Sequence, residues 1–200
     1  MNNRRQQPPG QVRIIGGRWR GTRLQVPVRE GLRPTSDRAR ETLFNWLAPV
    51  LPGMRVLDLF AGSGALGLEA LSRGAREAVL VERDPGLAQA LREACGRLPG
   101  GDAATVVQGD ALDWLRGQED AGFELAFVDP PFAAGLWPAV LEALPRVLAG
   151  HAWLYLEAPA EHALAAPAGF VLHRQARTRH AQHALYRRAT LATGAGDTRQ

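Results

Sequence analysis

A chain of 200 residues with 46% apolar and 22% charged residues is long enough for one buried core, which excludes the fibrous and disordered classes. Its single cysteine, Cys95, excludes a disulfide framework, and no apolar run approaches the length that spans a bilayer. The net charge of +4 conceals a polarity: residues 1–40 hold ten arginines against two acids, residues 41–170 eight against seventeen, and residues 171–200 six against one.

An acidic middle between two basic ends is the electrostatic pattern of a chain that meets a polyanion. No lysine occurs and isoleucine is scarce, so the choice of arginine reflects coding bias; the clustering is the signal. Residues 1–11 are polar and Pro-containing, without the apolar core of a signal peptide, and read as a disordered tail of a cytoplasmic protein. Residues 12–30 read as a small basic β-hairpin turning at Gly16-Gly17 and Gly21. Arg13, Arg18, Arg20 and Arg23 there suit phosphates, and Trp19 between them suits stacking on an unpaired base; the alternative is a Trp19 packed on its own domain. Residues 31–190 form the main domain and 191–200 a second tail.

Thr35, Ser36 and Asp37 supply N-caps for a helix reaching about Leu47, with Ala39, Leu43, Phe44 and Leu47 on one face. Val56 to Leu59 then reads as a buried parallel strand ending in Phe60-Ala61-Gly62-Ser63-Gly64, which opens a helix from Ala65 to Ser72. Gly62 to Gly67 has the G-x-G-x-x-G spacing of a dinucleotide site, but Asp58 inside the strand redirects it. Its charge repels a pyrophosphate and suits the cationic amino group and sulfonium of S-adenosylmethionine. Ala78 to Glu82 is a second buried strand, and Glu82 stands where such a unit receives ribose hydroxyls. Asp84 and Pro85 cap a helix through Cys95, with Gly96 beyond its end. Strand 105–108 leads to Asp110, an acceptor for an adenine amine or the cap of helix Ala111–Arg116.

Strand Phe123–Val128 delivers Asp129-Pro130-Pro131-Phe132. The double proline removes two donors and fixes the turn. Asp129 and a proline carbonyl then make a rigid acceptor pair beside the flat face of Phe132, suited to a planar base bearing an exocyclic amine. Helix Leu136–Leu148, strand Ala152–Leu156 and β-like runs Phe170–His173 and His183–Arg187 complete the pattern. His180 and His183 have a metal-like spacing, but no cysteine or carboxylate lies near in sequence, so no metal is expected. Alternation of strand and helix predicts an α/β fold, a doubly wound, mostly parallel Rossmann-like sheet with a C-terminal antiparallel hairpin, its four acids at the strand ends.

Asp-Pro-Pro-Phe after Asp-Leu-Phe-Ala-Gly-Ser-Gly resembles the amino-methyltransferases. The runs beginning at Arg13 (Arg-Ile-Ile-Gly-Gly-Arg-Trp-Arg-Gly), Leu32 (Leu-Arg-Pro-Thr-Ser-Asp-Arg) and Glu41 (Glu-Thr-Leu-Phe-Asn-Trp-Leu) are similar to the bacterial RsmD family, 16S ribosomal RNA guanine-N(2) methyltransferases. The resemblance implies S-adenosyl-L-methionine as cofactor, held by Asp58, Gly62, Gly64, Glu82 and Asp110 with neighbours Phe60, Ala61, Ser63, Arg83 and Ala111, and by Arg33, Pro34 and Thr35 near its methionine end. It makes Asp129, Pro130, Pro131 and Phe132 the target-base motif. The partner it implies is 16S rRNA in the small ribosomal subunit or its assembly intermediate; a monomer with no membrane contact is expected. Asp-Pro-Pro-aromatic motifs also serve adenine and protein glutamine, which stay open as substrates. An oxidoreductase needs neither Asp58 nor Asp-Pro-Pro-Phe, and a silent assembly factor needs no complete motif set.

Overall fold

The computed structural model describes residues 10–27, 36–119, 122–131, 135–161 and 167–189. Two antiparallel strands open it, β1 (Gly10–Arg13) and β2 (Arg23–Val26), with a 3₁₀ turn at Gly17–Trp19 between them. Helix α1 (Asp37–Leu47) follows. Strands and helices then alternate: β3 (Arg55–Asp58), α2 (Ala65–Ser72), β4 (Glu77–Glu82), α3 (Pro85–Arg97), β5 (Ala104–Gln108), α4 (Ala111–Arg116), β6 (Phe123–Val128), α5 (Trp137–Ala143) and β7 (Leu148–Pro159). An antiparallel pair, β8 (Phe170–Arg177) and β9 (Ala181–Arg188), completes the sheet.

The strand order is β5-β4-β3-β6-β7-β9-β8, parallel from β5 to β7, with β9 antiparallel to both its neighbours. This is the Rossmann-like architecture read from the sequence. The chain winds outward from β3 to β5 and then crosses to β6, so the order reverses between β3 and β6. Ligands of open α/β sheets sit outside the carboxyl ends of the strands at such a point. One face of the sheet carries α1, α2 and α3, joined by Phe127, Tyr155 and Leu185; the other carries α4 and α5 over Leu57, Val128 and Leu154.

Local chemistry sets the element ends. Ser36 Oγ accepts from Ala39 N at 3.2 Å and starts α1, whose buried Arg40, Leu43, Phe44 and Leu47 recur at helical spacing. Asp84 accepts from Leu87 N at 2.8 Å, and Pro85 fills the first position of α3. That helix runs on to Arg97, so Gly96 lies inside its last turn, where an exposed glycine facing open space is tolerated. Pro145 ends α5 early: Leu144–Val147 is a 3₁₀ turn rather than the continuation of a helix to Leu148. β7 extends three residues past the expected Leu156, and β8 takes in Arg174 and Arg177, because ladder hydrogen bonds to neighbouring strands hold polar stretches that show no apolar alternation.

The hairpin begins at Gly10 and is not a separate unit. Ile14, Trp19 and Leu24 belong to the same core cluster as Leu43, Phe44 and Leu71. Its backbone is fastened to α2: Trp19 N donates to Ser72 Oγ (2.9 Å), Ser72 Oγ to the Gly16 carbonyl (2.6 Å), and Ile15 N to Glu69 Oε2 (2.9 Å). Fully buried Arg40 bonds the Arg13 carbonyl (2.8 Å) and Asp37 (2.6 Å) and lies 3.5 Å from Glu69, which also holds Arg73 at 2.8 Å. Among the described residues, no helix is long and apolar enough to cross a membrane.

Candidate active site

The turn after β3 depends on glycine in two ways. Gly64 caps α2 with φ +73°, and a Cβ there would lie 2.4 Å from Leu91 Cδ2. A Cβ on Gly67 would lie 2.1 Å from Leu80 Cδ2 and 3.1 Å from Asp58 Oδ2. Its absence lets α2 close on the strand until Gly67 N donates to Asp58 Oδ2 at 2.9 Å. Asp58 is only 3% exposed, and burial pushes its carboxyl up to about 7; the Gly67 N–H opposes this rise and the Glu82 charge adds to it. A buried acid of this kind is relieved by a cationic group and aggravated by a phosphate. Phe60 is half-buried, and Ala61 and Ser63 are buried around the turn.

Glu82, at the carboxyl end of β4, spans the next gap. Its Oε2 accepts from Gly62 N (2.8 Å) and its Oε1 from Asp84 N (2.6 Å), so one carboxylate draws the glycine turn and the start of α3 together. Each oxygen keeps a second lone pair for a hydroxyl donor. Arg83 beside it is exposed. Asp110, past the end of β5, accepts from Leu112 N (2.9 Å) and Asp113 N (3.3 Å) and is the cap of α4; Ala111 is buried behind it. Strand order thus sets Asp110, Glu82, Asp58 and Asp129 along one edge.

Asp129 follows β6 directly and keeps part of its surface open, with Pro130 buried and Pro131 exposed. Burial, then the charges of Glu157 and Asp58, hold its carboxyl well above the usual carboxylate range. Phe132, Arg33, Pro34 and Thr35 lie outside the described residues. A buried group that sequence reasoning missed stands behind Asp129. Tyr155 OH donates to Glu157 Oε2 (3.0 Å) and meets His183 Nδ1 at 2.7 Å, while Nδ1 lies 3.5 Å from Glu157. Trp153, Tyr155 and Glu157 alternate along one strand, a signal hidden because the apolar run stops at Leu156, one residue short of the acid. His183 is tied to a phenol and a carboxylate on β7.

The basic hairpin is placed otherwise than expected. Trp19 is 4% exposed, its Nε1 donating to the Pro99 carbonyl at 3.1 Å, so its expected stacking on an RNA base is corrected: the ring fills the core. Arg18 lies over that ring at 4.4 Å and bonds the Gly100 carbonyl (3.3 Å), just ahead of β5 and so at the sheet edge opposite Asp129. Arg20 is exposed beside it; Arg13 pairs with Asp37 (3.3 Å) and Arg23 reaches Gln11 (3.5 Å). Only the open end of the hairpin comes near the site, where Val26 and Pro27 flank Gly62 and Ser63. The turn between β8 and β9 lies at the Asp129 edge instead: Ala181 pairs with Pro159 at the end of β7, and Arg177 donates to the Ala160 carbonyl at 2.6 Å. Exposed Arg174, Arg179 and His180 accompany it.

A doubly wound sheet with a glycine turn, acids at successive strand ends and Asp-Pro-Pro at its switch point defines the class: a Rossmann-like methyltransferase. The family model for Conserved hypothetical protein 95 matches residues 12–187, and this chain belongs to that family, the RsmD family. It is 47% identical over 182 residues to Ribosomal RNA small subunit methyltransferase D of Escherichia coli (strain K12), covering 90% of this chain and 91% of that one. The protein of the same name from Haemophilus influenzae is 39% identical over 181 residues, 88% of this chain and 94% of the other. The solved structure of yhhF from Escherichia coli superposes with a TM-score of 0.81 at 47% identity, covering 90% of this chain and 99% of that one.

Proposed function

We propose that this enzyme transfers a methyl group from S-adenosyl-L-methionine to the exocyclic 2-amino group of a guanine in 16S rRNA of the small ribosomal subunit. One observation supports it above the rest: Asp129-Pro130 follows β6 at the switch point, on the edge that also carries Asp58 and Glu82, so amine acceptor and cofactor acids share one crevice. The names of the Escherichia coli and Haemophilus influenzae relatives supply the substrate class.

The residues present fit the cofactor. Asp58, buried and reluctant to ionise, matches a cationic amino group; Glu82 offers acceptors to ribose hydroxyls; and Asp110 stands at the far end of the cleft for an adenine amine. Bound there, S-adenosylmethionine would supply an electrophilic methyl group on cationic sulfur to the base nitrogen, whose N–H proton would then have to leave. The protein contributes position and charge. Asp129 holds an amine N–H and aims the nitrogen, Pro130 and Pro131 keep the acceptor turn rigid, and Phe132 offers the base a stacking face.

RNA is met by the β8–β9 turn. Arg177 and Arg179 lie at the Asp129 edge with Arg174 lower on β8, whereas Arg18 and Trp19 lie away from it or inside the core. The test is mass mapping of modified nucleotides in 16S rRNA from a strain lacking the gene. One guanine is expected to lose its N2-methyl group, regained with the wild-type gene and not with Asp129→Ala. An unchanged 16S methylation pattern, or a change at an adenine, would overturn the reading.

A further inference from the structure

Asp129, Tyr155, Glu157 and His183 share one face of the sheet. β6 and β7 are in parallel register through Phe127↔Tyr155 and Val128↔Leu156, so the next positions, Asp129 and Glu157, are cross-strand neighbours. Neighbouring strands lie about 4.8 Å apart, so the two residues are adjacent on one face of the sheet and each carboxyl lies within reach of the other's charge. On the other side of β7, Glu157 pairs in register with His183 of β9. The three groups behind Asp129 are buried: Tyr155 is 0%, His183 6% and Glu157 7% exposed. Tyr155 OH donates to Glu157 Oε2, and His183 Nδ1 lies 2.7 Å from the same phenol oxygen. Glu157 is thereby held in place by two strands, and the ring of Tyr155 packs edge-on against Phe127 (6.0 Å between centroids) and nearly parallel to His183.

The methyl-transfer reading uses none of these three side chains. We propose that Glu157, anchored by Tyr155 and His183, is a positioning residue for Asp129: a fixed like charge on the adjacent strand that keeps Asp129 a ready proton acceptor. When the amine nitrogen forms its bond to the methyl carbon it becomes positively charged and sheds one proton; the N–H electron pair returns to nitrogen and the proton goes to an oxygen of Asp129. An isolated aspartate is a poor partner for that proton. Set against a second carboxylate in a buried site, it accepts more readily, because two like charges resist ionising together. The raised carboxyl of Asp129, with Glu157 ahead of Asp58 among its charge causes, agrees with this geometry. Among the described residues, the groups facing Asp129 are Asp58 from β3, Glu157 and Tyr155 from β7 and, behind them, His183 from β9. Helix α1 presents Phe44 to this face, and its buried Arg40 is committed to Asp37 and Glu69.

This role for Asp129 in catalysis presupposes amine methylation; its titration does not. Aspartate carboxyls labelled with ¹³C are titrated by NMR in the full chain, and the Asp129 signal is identified by its loss in Asp129→Asn. The wild-type midpoint is expected above the usual aspartate range and to fall by about one pH unit in Glu157→Gln, which keeps an acceptor for Tyr155 while removing the charge. Tyr155→Phe frees the carboxylate from its anchor and is expected to lower the midpoint by less; it decides the matter if Glu157→Gln does not fold. In single-turnover methylation of small subunits, the acid limb of the pH profile is expected to move to lower pH by the same interval. An Asp129 midpoint unmoved in the folded variants overturns the proposal. A moved midpoint with an unmoved acid limb overturns the catalytic role. A midpoint moved by Glu157→Gln, together with a wild-type protein that methylates no RNA, supports the pairing and refutes the proposed function instead.

Discussion

Two acids of unequal burial divide the work of the site, and each predicts its own failure. Asp129→Ala removes the amine acceptor, so single-turnover methyl transfer should fall by several orders of magnitude while S-adenosylhomocysteine affinity stays close to wild type; a rate within a few-fold of wild type would exclude the acceptor role. Asp58 carries a pH signature. Its carboxyl, pushed up to about 7, exceeds its unfolded value, so between the ordinary aspartate range and neutrality the folded chain binds more protons than the unfolded chain. Stability contributed by this group is therefore full at low pH and is lost as pH rises through that window. Asp58→Asn should flatten this slope in urea titrations carried out across the window. A cationic ligand that ionises Asp58 must also displace its proton, so the heat of S-adenosylhomocysteine binding near neutral pH should vary with the ionisation enthalpy of the buffer. Glu82→Ala acts through different atoms: the missing ribose bonds and a released Gly62 N–H should weaken cofactor binding by about 1.5–3 kcal/mol.

Among the elements, the N-terminal hairpin is the instructive case. Its arginines and tryptophan read equally well as an RNA surface or a docked structural unit, because composition does not say which way a ring points. The decision lies in long-range hydrogen bonds, Trp19 to Ser72 and Pro99 and Ile15 to Glu69, which no local pattern encodes. Trp19→Ala should thus cost about 3–5 kcal/mol of stability, the range for a buried large aromatic, and leave the salt dependence of RNA binding unchanged. If thermal stability holds and affinity drops, the ring is at the RNA after all. Strands whose sides are both buried, such as Val56–Asp58 and Phe123–Val128, were legible from their apolar runs, and α2 and α4 from their caps. β8 was legible in its first half, Phe170–His173, and not in its second: the mostly exposed residues from Arg174 to Arg177 are held by pairing with β9. Glu157 went unseen for the same reason, since the far end of β7 is fixed by β9 rather than by its own composition.

Across the whole molecule, charge segregation takes its meaning from topology. Strand β8 climbs to the edge where Asp129 emerges and turns there, bringing Arg177 and Arg179 to it, while the hairpin turn with Arg18 goes to the opposite edge. Replacing Arg174, Arg177 and Arg179 together should weaken binding to small subunits and lower the log–log salt slope by about 0.7–0.9 for each phosphate no longer neutralised; replacing Arg18 and Arg20 should change neither. The motif acids were readable as a set because parallel strands deliver their carboxyl ends to a common edge, so spacing along the chain translates into proximity. The central claim is that this edge methylates a guanine amine through Asp129. It is tested most directly by incubating purified enzyme and labelled S-adenosylmethionine with small subunits from a strain lacking the gene, then digesting the RNA. Label in N2-methylguanosine at a single position with wild type, and none with Asp129→Ala, is the predicted result; label in any other nucleoside, or equal labelling by the variant, would contradict it.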